Sequence, residues 1–231
     1  MVRRLLTGMA LLLAIVPAGV AAQDDTRPGI AVFPFTNGGS YGADREDLEA
    51  LTVGLQQMLL TELGQYGSLR IVERSMLRDL MAEQDLGTTG RVDAQTAARV
   101  GRIVGARYAI TGVFVDLNGD FRMDGRVIDV ETTEILRTEQ VRDNRANLYS
   151  MLVDIAAQIT DGLDLPPLPA QVREARAERK IPDRAITLYS RAQTYEDYGR
   201  KDQAMELYRQ IAQEFPEMTE AEQRLEQLRA G

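Results

Sequence analysis

Ile30-Ala31-Val32-Phe33-Pro34-Phe35 opens the stretch whose reading decides the fold, and Arg126-Val127-Ile128-Asp129-Val130-Glu131-Thr132 closes it. The first run is short, apolar and bounded by Gly29 and the loop Asn37-Gly38-Gly39-Ser40, as a buried strand should be. Inside the stretch, Asn118-Gly119 is the strongest local signal, because a two-residue hairpin turn needs φ > 0 at both positions. Such a turn sets Phe114 opposite Met123, Gly112 opposite Gly125 and Ile110 opposite Val127. On the other face it sets Val115 opposite Arg122, Val113 opposite Asp124 and Thr111 opposite Arg126. One face is apolar and the other amphipathic, which predicts a sheet covered by helices on one side.

Working outward, Asp44 is expected to start a helix with Leu48, Leu51, Leu55, Met58, Leu59 and Leu63 on one face, ended by Gly64. Leu69–Val72 reads as a second short strand. Ser75 is a candidate cap for a helix carrying Leu77, Leu80 and Met81, and Asp93 for a third with Ala97, Val100 and Val104 inward. A second turn near Thr132-Thr133 leads to a strand with Ile135. Leu148, Leu152, Ile155, Ile159 and Leu163 mark a closing helix. The fold class expected is therefore α/β (α+β), a mixed sheet with antiparallel hairpins.

Residues 1–22 read as an export signal: Arg3 and Arg4, an apolar centre at Leu11–Val16, and Val20-Ala21-Ala22 before Gln23. The apolar run is shorter than the ~20 residues a spanning helix needs. The chain has no Cys, so the sequence offers neither a lipid-bearing cysteine nor a disulfide. Loss of Arg3 and Arg4 with the leader takes the 27 basic residues to 25 against 35 acidic ones, net −10. That balance argues against nucleic acid as a partner and against adsorption to an anionic membrane.

Leu165-Pro166-Pro167-Leu168-Pro169 breaks all periodicity, and the charged run to Lys180 reads as a solvated helix or an extension of the linker. The division expected is a signal at 1–22, an α/β domain at 23–163, a Pro-rich and charged linker at 164–182, and a helical hairpin with a capping helix at 183–231. In that last part Leu188, Ala192, Tyr195, Gly199, Ala204, Tyr208 and Pro216 fall at the spacing of a single tetratricopeptide-like repeat. Thr219 and Glu222 have the spacing of a capping box. One repeat is too few to stand alone, so the unit should dock on the α/β domain or on another chain. Repeat geometry would set Tyr189, Gln193, Glu196 and Asp197 along an exposed inner face, where they are the candidate partner-binding residues.

The residues exclude most chemistry. With no His and no Cys, the usual general base, the commonest metal ligand and the thiolate are all missing. No serine sits in a nucleophile-elbow pattern. The loop Asn37–Gly42 lacks both dinucleotide and P-loop spacing, and Asp44, Glu46 and Asp47 would repel a phosphate. Asp116 and Asp120 flank one turn without a third close ligand, so a solvated turn is expected rather than a calcium site. Glu73 and Arg74 read as a pair at a strand–helix junction. No enzyme activity, cofactor, metal or nucleotide is expected.

Ile71-Val72-Glu73-Arg74, Leu77, Leu80, Glu83-Gln84 and Leu86, followed by Ala97, Gly101, Gly105-Ala106, Gly112 and Arg126-Val127-Ile128-Asp129, form an ordered series that resembles the CsgG-like family of curli secretion proteins over roughly residues 29–163. The resemblance implies an α/β domain in the periplasm, often assembled into rings at the outer membrane, and the place expected for this chain is the periplasm, peripheral to that membrane. It implies a non-catalytic scaffold or adaptor that works through protein–protein interaction, with envelope or exported proteins as partners and further copies of itself in a homo-oligomer. The alternative it carries is an outer-membrane secretion channel component. The pore-forming member builds its barrel from long hairpins; here two residues join the first hairpin, Thr133 stands where the family has Gly, and at a bilayer midplane Arg122 and Arg126 would each cost ~2–4 kcal/mol and Asp124 less. The expectation is a member that keeps the fold and lacks the pore.

Overall fold

The computed structural model describes residues 25–42, 45–83 and 92–230. The expected export signal and the helix start at Asp44 lie outside the described residues. Strands β1 (Gly29–Val32) and β2 (Thr36–Asn37) precede helix α1 (Arg45–Leu63). Strand β3 (Arg70–Ile71), α2 (Arg74–Glu83) and α3 (Ala94–Ile103) follow, then β4 (Tyr108–Leu117), β5 (Asp120–Asp129) and β6 (Ile135–Asn144). The chain closes with α4 (Leu148–Asp161), α5 (Ala170–Glu178), α6 (Asp183–Asp197), α7 (Lys201–Glu214) and α8 (Thr219–Ala230). One mixed sheet runs β3-β1-β4-β5-β6, with β2 also paired to β4; β1 pairs parallel with its neighbours and β4-β5-β6 form an antiparallel meander.

The β4–β5 register is the one that the Asn118-Gly119 turn requires, with Phe114 opposite Met123 and Thr111 opposite Arg126. Asn118 and Gly119 both take positive φ, 56° and 91°. The second turn is longer, with residues 130–134 between β5 and β6, and Thr133 sits at φ 67° with no glycine to relieve it. Asp129 holds that turn closed, accepting from the backbone N–H of Glu131 and Thr132 at 2.8 and 3.0 Å.

Period-two alternation sends each strand's side chains to two faces. Ile30, Val32, Ile110, Phe114, Phe121, Met123 and Val127 pack under α1 and α4, with Phe114 and Phe121 stacked at 5.6 Å. Ala31, Phe33, Ala109, Ile128 and Val130 meet Leu77, Ala97 and Val100 of α2 and α3. Helices therefore cover both faces, and the expectation of one covered side is corrected: the second, smaller core occupies only the end of the sheet near β1. The amphipathic run Val113, Val115, Arg122, Asp124 lies beyond that core.

Asp93 caps α3 as its sequence position predicts, accepting from Thr96 N–H at 2.7 Å. Ser75 does not cap α2, which already begins at Arg74, and Thr219 lies within α8 rather than before it. Residues 170–178 form a docked helix whose Arg176 pairs with the buried Glu62 of α1. Next to it Arg179 pairs with Glu220 of α8 and lies over the Tyr149 ring at 5.2 Å. The C-terminal helices pack on α1, so a single apolar core runs from Phe35 through Leu55 to Tyr208 and Leu225.

Candidate functional site

A polar cleft of about 290 Å³ opens between α1, the start of α2, α6 and α8, lined by Gln57, Arg74, Tyr189, Gln193, Glu220 and Arg224 among others. Tyr189 and Gln193 line it; Gln193, Glu196 and Asp197 belong to the hydrogen-bonded network behind it, which Tyr189 touches through the Tyr208 ring. The outward face read for them in the sequence is corrected here. Tyr189 and Gln193 are only 4% and 2% exposed, because that face meets Tyr208 of α7 and, at Gln193, Arg74 of α2 instead of solvent.

Four helices are tied by one chain of hydrogen bonds. Arg74, at the start of α2, donates to Gln193 Oε1 at 2.7 Å and pairs with Asp197. Gln193 Nε2 donates to the Tyr208 hydroxyl of α7, which donates to Glu196. Arg224 of α8 closes the chain on Glu196 at 2.9 Å, and Arg78 adds a second guanidinium on Asp197 at 2.9 Å. The Tyr189 and Tyr208 rings meet edge to face at 5.6 Å. A buried polar group is tolerable only when it is bonded, and this network satisfies each of its members.

Both buried phenols are shifted in the same direction. Burial, then the charges of Glu220 and Glu196, push the Tyr189 hydroxyl above the ordinary phenol range. Burial, then Tyr189 and Glu196, do the same to Tyr208. Among the described residues no group of three or more carboxylates converges as metal ligands would.

The other sequence candidates have structural partners. Asp116 is fully buried: it accepts from Gly119 N–H and pairs with Arg145, which also reaches Asp183 at the start of α6. It braces the hairpin tip against the helical unit, which corrects the expectation of a solvated turn. Asp120 pairs with Arg142. Arg74 turns away from Glu73 and reaches 123 residues along the chain to Asp197. Nothing local signals that bond; a basic residue at the first turn of a short helix, where acidic residues are favoured, is the only hint.

Residues 16–125 match the model of the family described as Curli production assembly/transport component CsgG. The match begins inside the expected export signal and ends at Gly125 in the middle of β5, one residue before the Arg126–Asp129 run. Over those residues the α/β unit is similar to that family, whose description names an assembly/transport component. No curated protein matches the chain. Among solved structures, the LpoB C-terminal domain from Escherichia coli shares 20% identity and a TM-score of 0.40, over 51% of this chain and 83% of that one. TolB from Acinetobacter baumannii shares 18% identity with a TM-score of 0.39, over 61% and 28%. The PelC dodecamer from Paraburkholderia phytofirmans shares 15% identity with a TM-score of 0.33, over 61% and 91%.

Proposed function

We propose that this protein is a non-catalytic scaffold or adaptor of the periplasm, exported by a cleaved signal and acting through protein–protein contacts with envelope or exported proteins and with copies of itself. The observation that carries the reading is the CsgG-family match over residues 16–125, on a body in which Phe114, Phe121, Met123 and Val127 are fully buried. A ribbon whose apolar side chains fill the interior has none left for lipid, and its other face carries Arg122, Asp124 and Arg126. This favours the scaffold over the secretion-channel alternative. The chain's lack of His and Cys supports a protein without covalent or metal chemistry.

The repeat-like helices contribute through their outer surfaces in this reading, since the inner face is already taken by Arg74 and Arg78. The test is fractionation with crosslinking in cells followed by mass spectrometry. The chain should appear in the periplasmic fraction, be released at high salt, and crosslink to envelope proteins. A detergent-requiring ring that conducts in planar bilayers would instead establish the channel.

A further inference from the structure

We propose that β6 is a self-pairing edge: its outer side takes the β6 of a second copy, antiparallel, with Thr138 on the twofold axis. The two edges of the sheet are unlike. β3 is two residues long, whereas β6 runs ten residues and ends the strand order. Long open edges are ones that proteins ordinarily shorten or cover. Ile135 and Leu136, at its start, are 49% and 43% exposed.

The backbone sets which residues a partner strand could meet. Arg145 N–H donates to Gly119 C=O at 2.7 Å, which continues the β5–β6 register and marks a hydrogen-bonded pair. Such pairs alternate along an antiparallel ladder. Phe121/Asp143, Met123/Val141, Gly125/Glu139 and Val127/Arg137 are therefore the inward-bonding pairs. The N–H and C=O of Thr138, Gln140 and Arg142 consequently point away from β5, toward the open edge.

Charge then selects among the symmetric registers that this phase permits. Centred on Arg137 or Glu139, two copies would set like charges directly opposite. Centred on Val141, they would set Glu139 opposite Asp143. Centred on Thr138, Arg137 of each strand meets Glu139 of the other, two reciprocal opposite-charge pairs, and the register shift at Leu136 falls outside this central stretch. Opposite charges at facing positions stabilise a sheet and like charges destabilise it. Centring on Gln140 instead would need Asp143, which already accepts from Asn147. Among the described residues, neither the Arg137 nor the Glu139 side chain makes a hydrogen bond or ion pair, and the Arg137 stem lies beside Gly162. A surface that complements itself is what a closed twofold dimer requires.

The pairing deepens the scaffold reading and rests on its self-association. The chain has no cysteine, so one introduced thiol reports one position. Facing residues of a hydrogen-bonded antiparallel pair have Cα atoms about 5.5 Å apart, within disulfide reach. Under mild oxidation the full exported chain carrying Thr138→Cys should form a covalent dimer, and Gln140→Cys should not. In sedimentation, Arg137→Glu should weaken the dimer roughly tenfold or more, and Arg137→Glu with Glu139→Arg should restore it. Crosslinking through Gln140→Cys but not Thr138→Cys overturns the register, and a chain monomeric at tens of micromolar overturns the pairing. Self-association indifferent to Arg137→Glu overturns the edge and leaves the scaffold reading standing. A chain that crosslinks at 138 but is absent from the envelope supports the pairing and removes the scaffold reading.

Discussion

Gly54 of α1 lies directly against Ser190 of α6, so closely that a methyl group at position 54 would overlap the Ser190 hydroxyl, its Cβ and its Cα. Ser190 is fully buried and turns its hydroxyl back onto the Ile186 carbonyl at 2.7 Å. This is the point where the helical unit joins the α/β body, and the joint depends on the absence of a side chain.

Gly54→Ala inverts the usual rule. In a helix interior the change ordinarily stabilises by about 0.5–1 kcal/mol. Here it should destabilise by about 1–3 kcal/mol, because overpacking pushes α6 away. Ser190→Gly in the same chain should recover part of that loss, giving a coupling of about 1 kcal/mol by urea denaturation. A more stable Gly54→Ala protein would contradict the close approach.

Arg74→Met should cost about 1–3 kcal/mol, since it leaves the buried Gln193 Oε1 without its donor and Asp197 with Arg78 alone. Arg78→Ala, which removes the more exposed partner of Asp197, should cost under about 1 kcal/mol. Limited proteolysis checks the direction: Arg74→Met should expose the segment between α4 and α6 to cleavage first. Equal effects from the two substitutions would dissolve the distinction between a buried tie and a surface one.

Thr133→Gly should raise stability by about 1 kcal/mol. A β-branched residue in the left-handed region is strained, and the turn already closes through Asp129. Thermal unfolding reads the gain; a lower Tm would mean that the Thr133 side chain supports the turn in some other way.

Two carboxylates should shape the acid limb. Asp93 is held below the ordinary range chiefly by the Thr96 backbone N–H. Burial pushes Asp129 up, but the N–H groups of Thr132 and Glu131 and the charge of Arg107 pull it below its usual value. Each favours the folded state when ionised, so its contribution is complete above the unfolded value near about 4 and is lost as pH falls through the lower folded value. Asp129→Asn should flatten the fall in urea midpoint between about pH 5 and pH 2. An unchanged slope would remove Asp129 from the account.

Much of the α/β unit was legible along the chain. The β4–β5 register followed from Asn118-Gly119, because a two-residue turn leaves no freedom in what faces what. The buried stripe of α1 followed from leucine spacing, and every leucine named for it is buried. β6 was legible only at Ile135, since an edge strand facing water carries charges where the apolar alternation would be. Tyr189 and Gln193 were placed on the right face of α6 and given the wrong neighbour. Helical periodicity says which residues share a side, but not whether water or another helix stands opposite.

The order of residues alone determined the local matters: where the hairpin turns and which side of each long helix is apolar. Only the folded molecule decided that α6 seats on α1 at Gly54, that Arg74 reaches Gln193 and Asp197, and that Asp116 is buried behind Arg145. Those contacts join residues 29 to 136 positions apart in the chain, and their partners are picked by shape and desolvation once the helices meet. No short-range pattern encodes such a meeting, because its free energy exists only when both surfaces leave water together.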